Sequence, residues 1–151
     1  MITNVNRQDN GDSARDKPLV IIPCGRRKRA GPSPAGELYL GPYFQGCLKT
    51  ALALTAVDRI RILSGKYGLL KLGQVVEPYD QRIDRPGAIT IKEIIAQARG
   101  QKLLSMATVI VLAGKSYSNV VLAIWPYACA PLLGIAGMGR HLARLRQLRG
   151  E

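Results

Sequence analysis

Three short strand-like runs constrain how this chain can fold. Leu19-Val20-Ile21-Ile22 and Val109-Ile110-Val111-Leu112-Ala113 have the length and apolar character of buried strands, and Arg59-Ile60-Arg61-Ile62-Leu63 alternates and then stops at Ser64-Gly65, as a strand would. Between them lie segments with helical spacing. Glu37 to Ala56 sets Leu38, Phe44, Leu48 and Leu52 in a helical pattern, with Pro42 placing its secure start near Gly41. Ile89 to Leu104 carries Ile91, Ile94, Ile95 and Ala98 on one face. Ser118 to Trp125 reads as a short helix ended by Pro126, Pro131 to Ile135 as a weaker fourth strand, and Gly137 to Leu148 as a basic amphipathic helix. Strands alternating with helices pair in parallel through right-handed crossovers. The expected fold is therefore α/β: a single domain with a mainly parallel sheet of four or five strands and helices on both faces. Residues 1–17 are polar and offer too little apolar surface to offset the entropy of ordering, so a flexible tail is expected before one domain spanning 18–151.

With 151 residues, 47% of them hydrophobic, the chain can bury a core without metals or disulfides. Cys24, Cys47 and Cys129 are odd in number and lack CxxC spacing, which points to a reduced, cytoplasmic setting. No run approaches the roughly 20 apolar residues of a membrane span, and no signal pattern opens the chain. A single histidine and no spaced cysteine pair leave no metal-ligand cluster and no evident cofactor, although magnesium carried in with a nucleotide stays open. The formal charge of +12 points to an anionic partner, DNA or a nucleotide. Much of it sits in Arg26, Arg27, Lys28 and Arg29 and in Arg140, Arg144, Arg146 and Arg149, although solvated surface charge would look the same.

In an open parallel sheet, ligands bind beyond the carboxyl ends of the strands. There this chain places Pro23-Cys24-Gly25-Arg26, Ser64-Gly65-Lys66-Tyr67-Gly68 and Gly114-Lys115-Ser116-Tyr117. Glycine admits close approach of backbone to ligand, helix starts offer free N–H groups, and Lys or Arg neutralises an anion. Gly114-Lys115-Ser116 resembles the end of a Walker A loop, but Val109 stands where the leading glycine belongs, which excludes a P-loop ATPase. Glu37, Glu77 and Asp80 are the carboxylates near these turns, fit either to act as base, nucleophile or oxocarbenium stabiliser or simply to balance charge. Cys24, beside basic residues, is either packed or activated. Tyr39, Tyr43, Tyr67, Tyr79 and Tyr117 are available to stack on bases or bond phosphates. His141, among arginines on the last helix, is expected at the surface or in contact with nucleic acid rather than in catalysis. Tyr67 to Ala88, rich in Gly and Pro, is expected to be a long structured loop, a type that is often functional.

The strings Ile60-Arg61-Ile62-Leu63-Ser64-Gly65-Lys66-Tyr67-Gly68-Leu69-Leu70 and Val76-Glu77-Pro78-Tyr79-Asp80 resemble a bacterial and phage domain family of unknown function. They are also similar to the YaaA peroxide-stress family, with its Tyr-Gly-Leu-Leu turn and Pro-Tyr pair. The Pro-Cys-Gly-basic start, Glu37-Leu38-Tyr39 and Gly114-Lys115-Ser116-Tyr117 have counterparts in the first family, so the resemblance covers about residues 18 to 140. It implies a DNA-associated protein. The chain departs from YaaA in its shorter length, in Lys66 and in Asp80.

The function expected is that of an enzyme of nucleobase or glycosidic-bond chemistry, with Glu37, Asp80 and Lys66 as catalytic candidates. Cys24, Gly25, Arg26, Ser64, Gly65, Tyr67, Tyr79, Gly114, Lys115, Ser116 and Tyr117 would hold a phosphate-bearing ligand, and Arg27, Lys28, Arg29, Arg140 and Arg144 would contact nucleic acid. The alternative is a non-catalytic DNA-binding protein of the YaaA-like stress-response type.

Overall fold

The structure, a computed structural model, describes residues 17–151, so the expected tail lies outside the described residues apart from Lys17. Strand β1 (Leu19–Pro23) is buried on both faces, as an all-apolar run in the middle of a sheet must be. It pairs in parallel with β5 (Ile60–Ser64), Val20 opposite Ile60, and on its other side with β8 (Val109–Val111), Leu19 opposite Val109. Strand β6 (Gly68–Leu70) folds back antiparallel on β5 and completes a four-stranded sheet ordered β6-β5-β1-β8. Two small antiparallel pairs lie outside it: β2 (Arg27–Lys28) with β4 (Tyr39–Leu40), and β3 (Ser33–Pro34) with β7 (Val75–Val76).

Among the described residues five α-helices accompany the strands. They are α1 (Ala35–Leu38), α2 (Pro42–Leu54), α3 (Ile91–Gly100), α4 (Lys115–Ile124) and α5 (Met138–Leu148). Pro42 opens α2, where its missing N–H costs nothing. Thr90 caps α3 by accepting the Glu93 N–H at 3.1 Å, as a Thr-x-x-Glu sequence favours. Alternation along the strands divides the core in two. Val20, Ile22, Ile60, Ile62 and Leu70 meet Phe44, Cys47, Ala51 and Leu145 of α2 and α5. On the other face Leu19, Ile21, Leu69, Val109 and Val111 meet Ile94 and Ala98 of α3, Val121 of α4 and Trp125 just after it. Trp125 is fully buried because its indole N–H donates to the Leu103 carbonyl at 3.1 Å. Truncating one of these buried aliphatic residues to Ala is expected to cost about 2–5 kcal/mol.

Two sequence expectations are corrected. Gly68-Leu69-Leu70 is the edge strand β6 rather than part of a loop. Pro131 to Gly134 is a turn, and the sheet is extended next to β8 by Cys129 alone, which bridges Ile110 and whose N–H and C=O bond Val109 and Val111 at 2.8 Å. The alternating Arg59–Leu63 run forms the expected strand and is buried on both faces from Ile60 onward. Arg61, only 5% exposed, keeps its charge there by donating to the carbonyls of Asp58 and Ile60 and to Gln101 Oε1 at 2.7 Å.

Candidate functional site

The path of the chain opens a crevice at one place on the sheet. From β1 it crosses through α2 to β5 on one side, then returns by β6 and α3 to β8 on the other. The segments leaving β1 and β8 therefore diverge, and ligands enter open α/β sheets at such a reversal, outside the carboxyl ends of the strands. A cavity of about 480 Å³ lies there. Pro23, Cys24 and Gly25 come from the end of β1, Gly114 to Tyr117 from the start of α4, Tyr43 from α2, and Asp80 to Arg82 with Arg85 from the loop following β7.

Arg26, Lys28, Arg82, Arg85 and Lys115 make the lining cationic, against one lining carboxylate, Asp80. Gly114 caps α4 without any side-chain acceptor, so the first N–H groups of that helix, with the positive end of its dipole, are left for a ligand. An anion entering here meets charge, hydrogen-bond donors and the hydroxyls of Tyr43, Ser116 and Tyr117 together.

The loop carrying Arg82 and Arg85 is fastened at several points. The Asp84 carboxylate accepts both Arg82 N–H groups, at 3.1 and 3.2 Å, and the Ser116 hydroxyl at 3.2 Å. Partial desolvation pushes the Asp84 carboxyl up, but the bonds from Ser116 and Arg82 outweigh it and hold it below the usual carboxylate range. The Gln81 amide donates to the carbonyls of Arg82 and Pro86 at 3.0 and 3.1 Å, closing the loop on itself. Ile89 N–H donates to the Gly65 carbonyl at 2.8 Å. Gly65 is glycine by necessity, since a Cβ there would stand 2.2 Å from the Gln81 carbonyl oxygen and 2.7 Å from the Arg82 carbonyl carbon.

At the cavity floor the Cys24 thiol and the Tyr117 hydroxyl are 3.1 Å apart, and burial pushes the Tyr117 phenol well above its ordinary value. Tyr43 bonds His141 Nδ1 at 2.8 Å, while His141 Nε2 faces the Ile135 carbonyl at 2.6 Å. A carbonyl only accepts, so Nε2 carries a proton, and in the neutral ring Nδ1 accepts from Tyr43. His141 is thus a buried brace behind the cavity rather than the expected surface residue.

Of the sequence candidates, Cys24, Gly25, Arg26, Lys28, Asp80, Gly114, Lys115, Ser116 and Tyr117 border the cavity. Ser64, Gly65, Lys66, Tyr67, Tyr79 and Glu37 do not. Ser64 is fully buried and accepts the N–H groups of Lys66 and Tyr67 at 3.1 and 3.0 Å, shaping the turn after β5. Tyr79 packs edge-on against Tyr67 and bonds Tyr39 through their hydroxyls at 2.5 Å, and burial raises both the Tyr39 and Tyr79 phenols. Lys28 Nζ lies 4.6 Å from the Tyr79 ring centroid, so this tyrosine cluster supports one of the lining cations. Tyr79 anchors the chain and the next residue, Asp80, reaches the cavity. Glu37 is exposed on α1, and Arg27, Arg29 and Arg140 are exposed outside the cavity. Arg144 bonds Gln147, whereas Arg149 ties α5 to α2 through Thr50 at 2.9 Å.

Gln81, Arg82 and Arg85 were not singled out from sequence. They sit in no glycine-bearing turn at a strand end, and only the density of charge in Gln81-Arg82-Ile83-Asp84-Arg85 marks them. Among the described residues no three His, Cys, Asp or Glu side chains gather as a metal site, and no helix is long and apolar enough to cross a membrane.

No solved structure gives a significant match to the chain. An uncharacterized protein, YfjM of Bacillus subtilis (strain 168), is 32% identical over 143 residues, covering 87% of this chain and 94% of that protein. The model of a family described as "Family of unknown function (DUF6884)" matches residues 19–147, from the start of β1 almost to the end of α5. The cavity and the elements that build it all fall within that match, and the chain belongs to this family.

Proposed function

We propose that the protein binds a phosphate-bearing nucleotide, free or within nucleic acid, in the cavity at the β1/β8 crevice and acts on its base or glycosidic bond. The observation carrying this is the gathering of Arg26, Lys28, Arg82, Arg85 and Lys115 around one cavity at the start of α4. Arg82 is paired with Asp84, whereas Arg26, Lys28, Arg85 and Lys115 make no ion pair among the described residues, and a phosphate would satisfy both their charge and the free N–H groups. Asp80 is the carboxylate at the cavity left without an ion pair among the described residues. In glycosidic cleavage the bond from the sugar carbon to the base nitrogen breaks, and its electron pair leaves with the base. Water adds to the sugar carbon, while Asp80 takes the proton from that water and passes it to the departing base.

The test combines a thermal-shift panel with chromatography for released base, using nucleotides, oligonucleotides and inorganic phosphate. Nucleotides are expected to raise Tm, the shift shrinking in Arg82→Ala and Lys115→Ala and the binding weakening with added salt. Asp80→Asn should bind but release no base. No stabilisation by any phosphate-bearing ligand would end the proposal. The exposed Arg27, Arg29 and Arg140 support a second reading, non-catalytic DNA binding of the YaaA-like type. It requires steeply salt-dependent DNA binding that is lost in Arg27→Glu/Arg140→Glu and indifferent to Asp80→Asn.

A further inference from the structure

A second hollow adjoins the cationic one. It has a volume of about 550 Å³ and is walled by Leu132, Leu133, Ile135 and Ala136 of the segment before α5 and by Asn119 of α4. Gly114 and Lys115 line both hollows, so the first turn of α4 is the ridge between them. The two differ in chemistry. One is lined by Arg and Lys, the other mostly by aliphatic side chains, among them Leu133, which stands 40% exposed.

Gly114 itself is unexplained by folding. Its φ of −74° suits any residue, and a Cβ would meet nothing nearer than His141 Cε1 at 4.0 Å. A glycine required neither by backbone nor by packing keeps the ridge low.

We infer that the aliphatic hollow is the base subsite of a nucleotide whose phosphate occupies the cationic cavity, with the sugar crossing the ridge at Gly114. This rests on the proposed phosphate site and specifies what its ligand carries beyond phosphate. A flat heteroaromatic ring gains from aliphatic walls, and the Asn119 amide, which makes no hydrogen bond among the described residues, offers both donor and acceptor to its edge.

The experiment measures calorimetric affinities for the four ribonucleoside 5′-monophosphates and for ribose 5-phosphate. At least one nucleotide is expected to bind about tenfold or more tighter than the sugar phosphate, the effect of burying roughly 60 Å² of apolar base surface. Ala136→Trp fills the hollow from an exposed position and Gly114→Val raises the ridge, and each should bring that ratio close to one. Circular dichroism and Tm establish that both variants fold, with Leu133→Ser as a milder substitute should either fail. If ribose 5-phosphate binds as tightly as every nucleotide, or the ratio survives the substitutions, the base subsite is refuted and the phosphate site stands. If no phosphate compound binds, both fall.

Discussion

Replacing Gly65 by Ala tests how the cavity wall is built. The added methyl would sit 2.2 Å from the Gln81 carbonyl oxygen, 2.7 Å from the Arg82 carbonyl carbon and 2.8 Å from the Ile83 nitrogen. All three are backbone atoms, so no side-chain rotation relieves the clash. The 81–83 segment must move outward, which strains the Ile89 N–H bond to the Gly65 carbonyl. Overpacking against backbone should cost about 2–3 kcal/mol, a fall in Tm of roughly 5–10 °C for a domain of this size. Urea unfolding followed by circular dichroism gives the free energy, and Gly73→Ala is the internal control. Nothing lies within 4 Å of a Cβ at position 73, so that change should be neutral or stabilise by up to about 1 kcal/mol. Because the displaced segment carries Arg82, the Gly65→Ala protein should also lose much of any phosphate-induced Tm shift. Equal unfolding midpoints for the two variants would refute the contact between Gly65 and the 81–83 backbone.

Two further outcomes follow from the same geometry. The folded-state Asp84 carboxyl is depressed, so its stabilising effect is complete above the ordinary aspartate value near pH 4 and is lost as pH falls through the lower folded value. Asp84→Asn should flatten that part of an acid titration of Tm, and superimposable curves would contradict the Arg82–Asp84–Ser116 tie. Cys129 is exposed, Cys24 half-buried and Cys47 buried, with burial pushing the Cys47 thiol up to about 12. An aromatic disulfide reagent should therefore modify Cys129 rapidly, Cys24 more slowly and Cys47 only on unfolding, with nucleotide protecting Cys24. Cys47 reacting in the native state would overturn this order.

The layered α/β arrangement was legible because β1 and β8 announce themselves as unbroken β-branched runs, and α3 by its apolar periodicity. Strand β6 was not, since two leucines beside a glycine have no periodicity and become a strand only by pairing with β5. The extension at Cys129 is a single residue, below any pattern. At the cavity, the turns after β1 and β8 were visible as glycine beside a basic residue. Arg82 and Arg85 come to it only because the following loop is folded back across the turn after β5, a contact made by backbone against Gly65. That also accounts for why Ser64 to Gly68 stands out as a string. Its small residues meet close neighbours: the 81–83 backbone at Gly65, and at Gly68 (φ +76°) the Gln97 side chain, which bonds Leu69 N–H and the Tyr67 carbonyl at 2.9 Å.

The fastening of the 81–89 segment by Gly65, Gln81 and Asp84 bears on how quickly the site works. A wall that is ordered on folding asks no further loss of conformational freedom from an arriving ligand. Arg82 and Arg85 are exposed on it, so encounter with the proposed anion would be governed by electrostatic attraction rather than by waiting for a lid to close. For the proposed ligand, the association rate should therefore depend on ionic strength and viscosity, and selectivity should be expressed in how long each ligand stays.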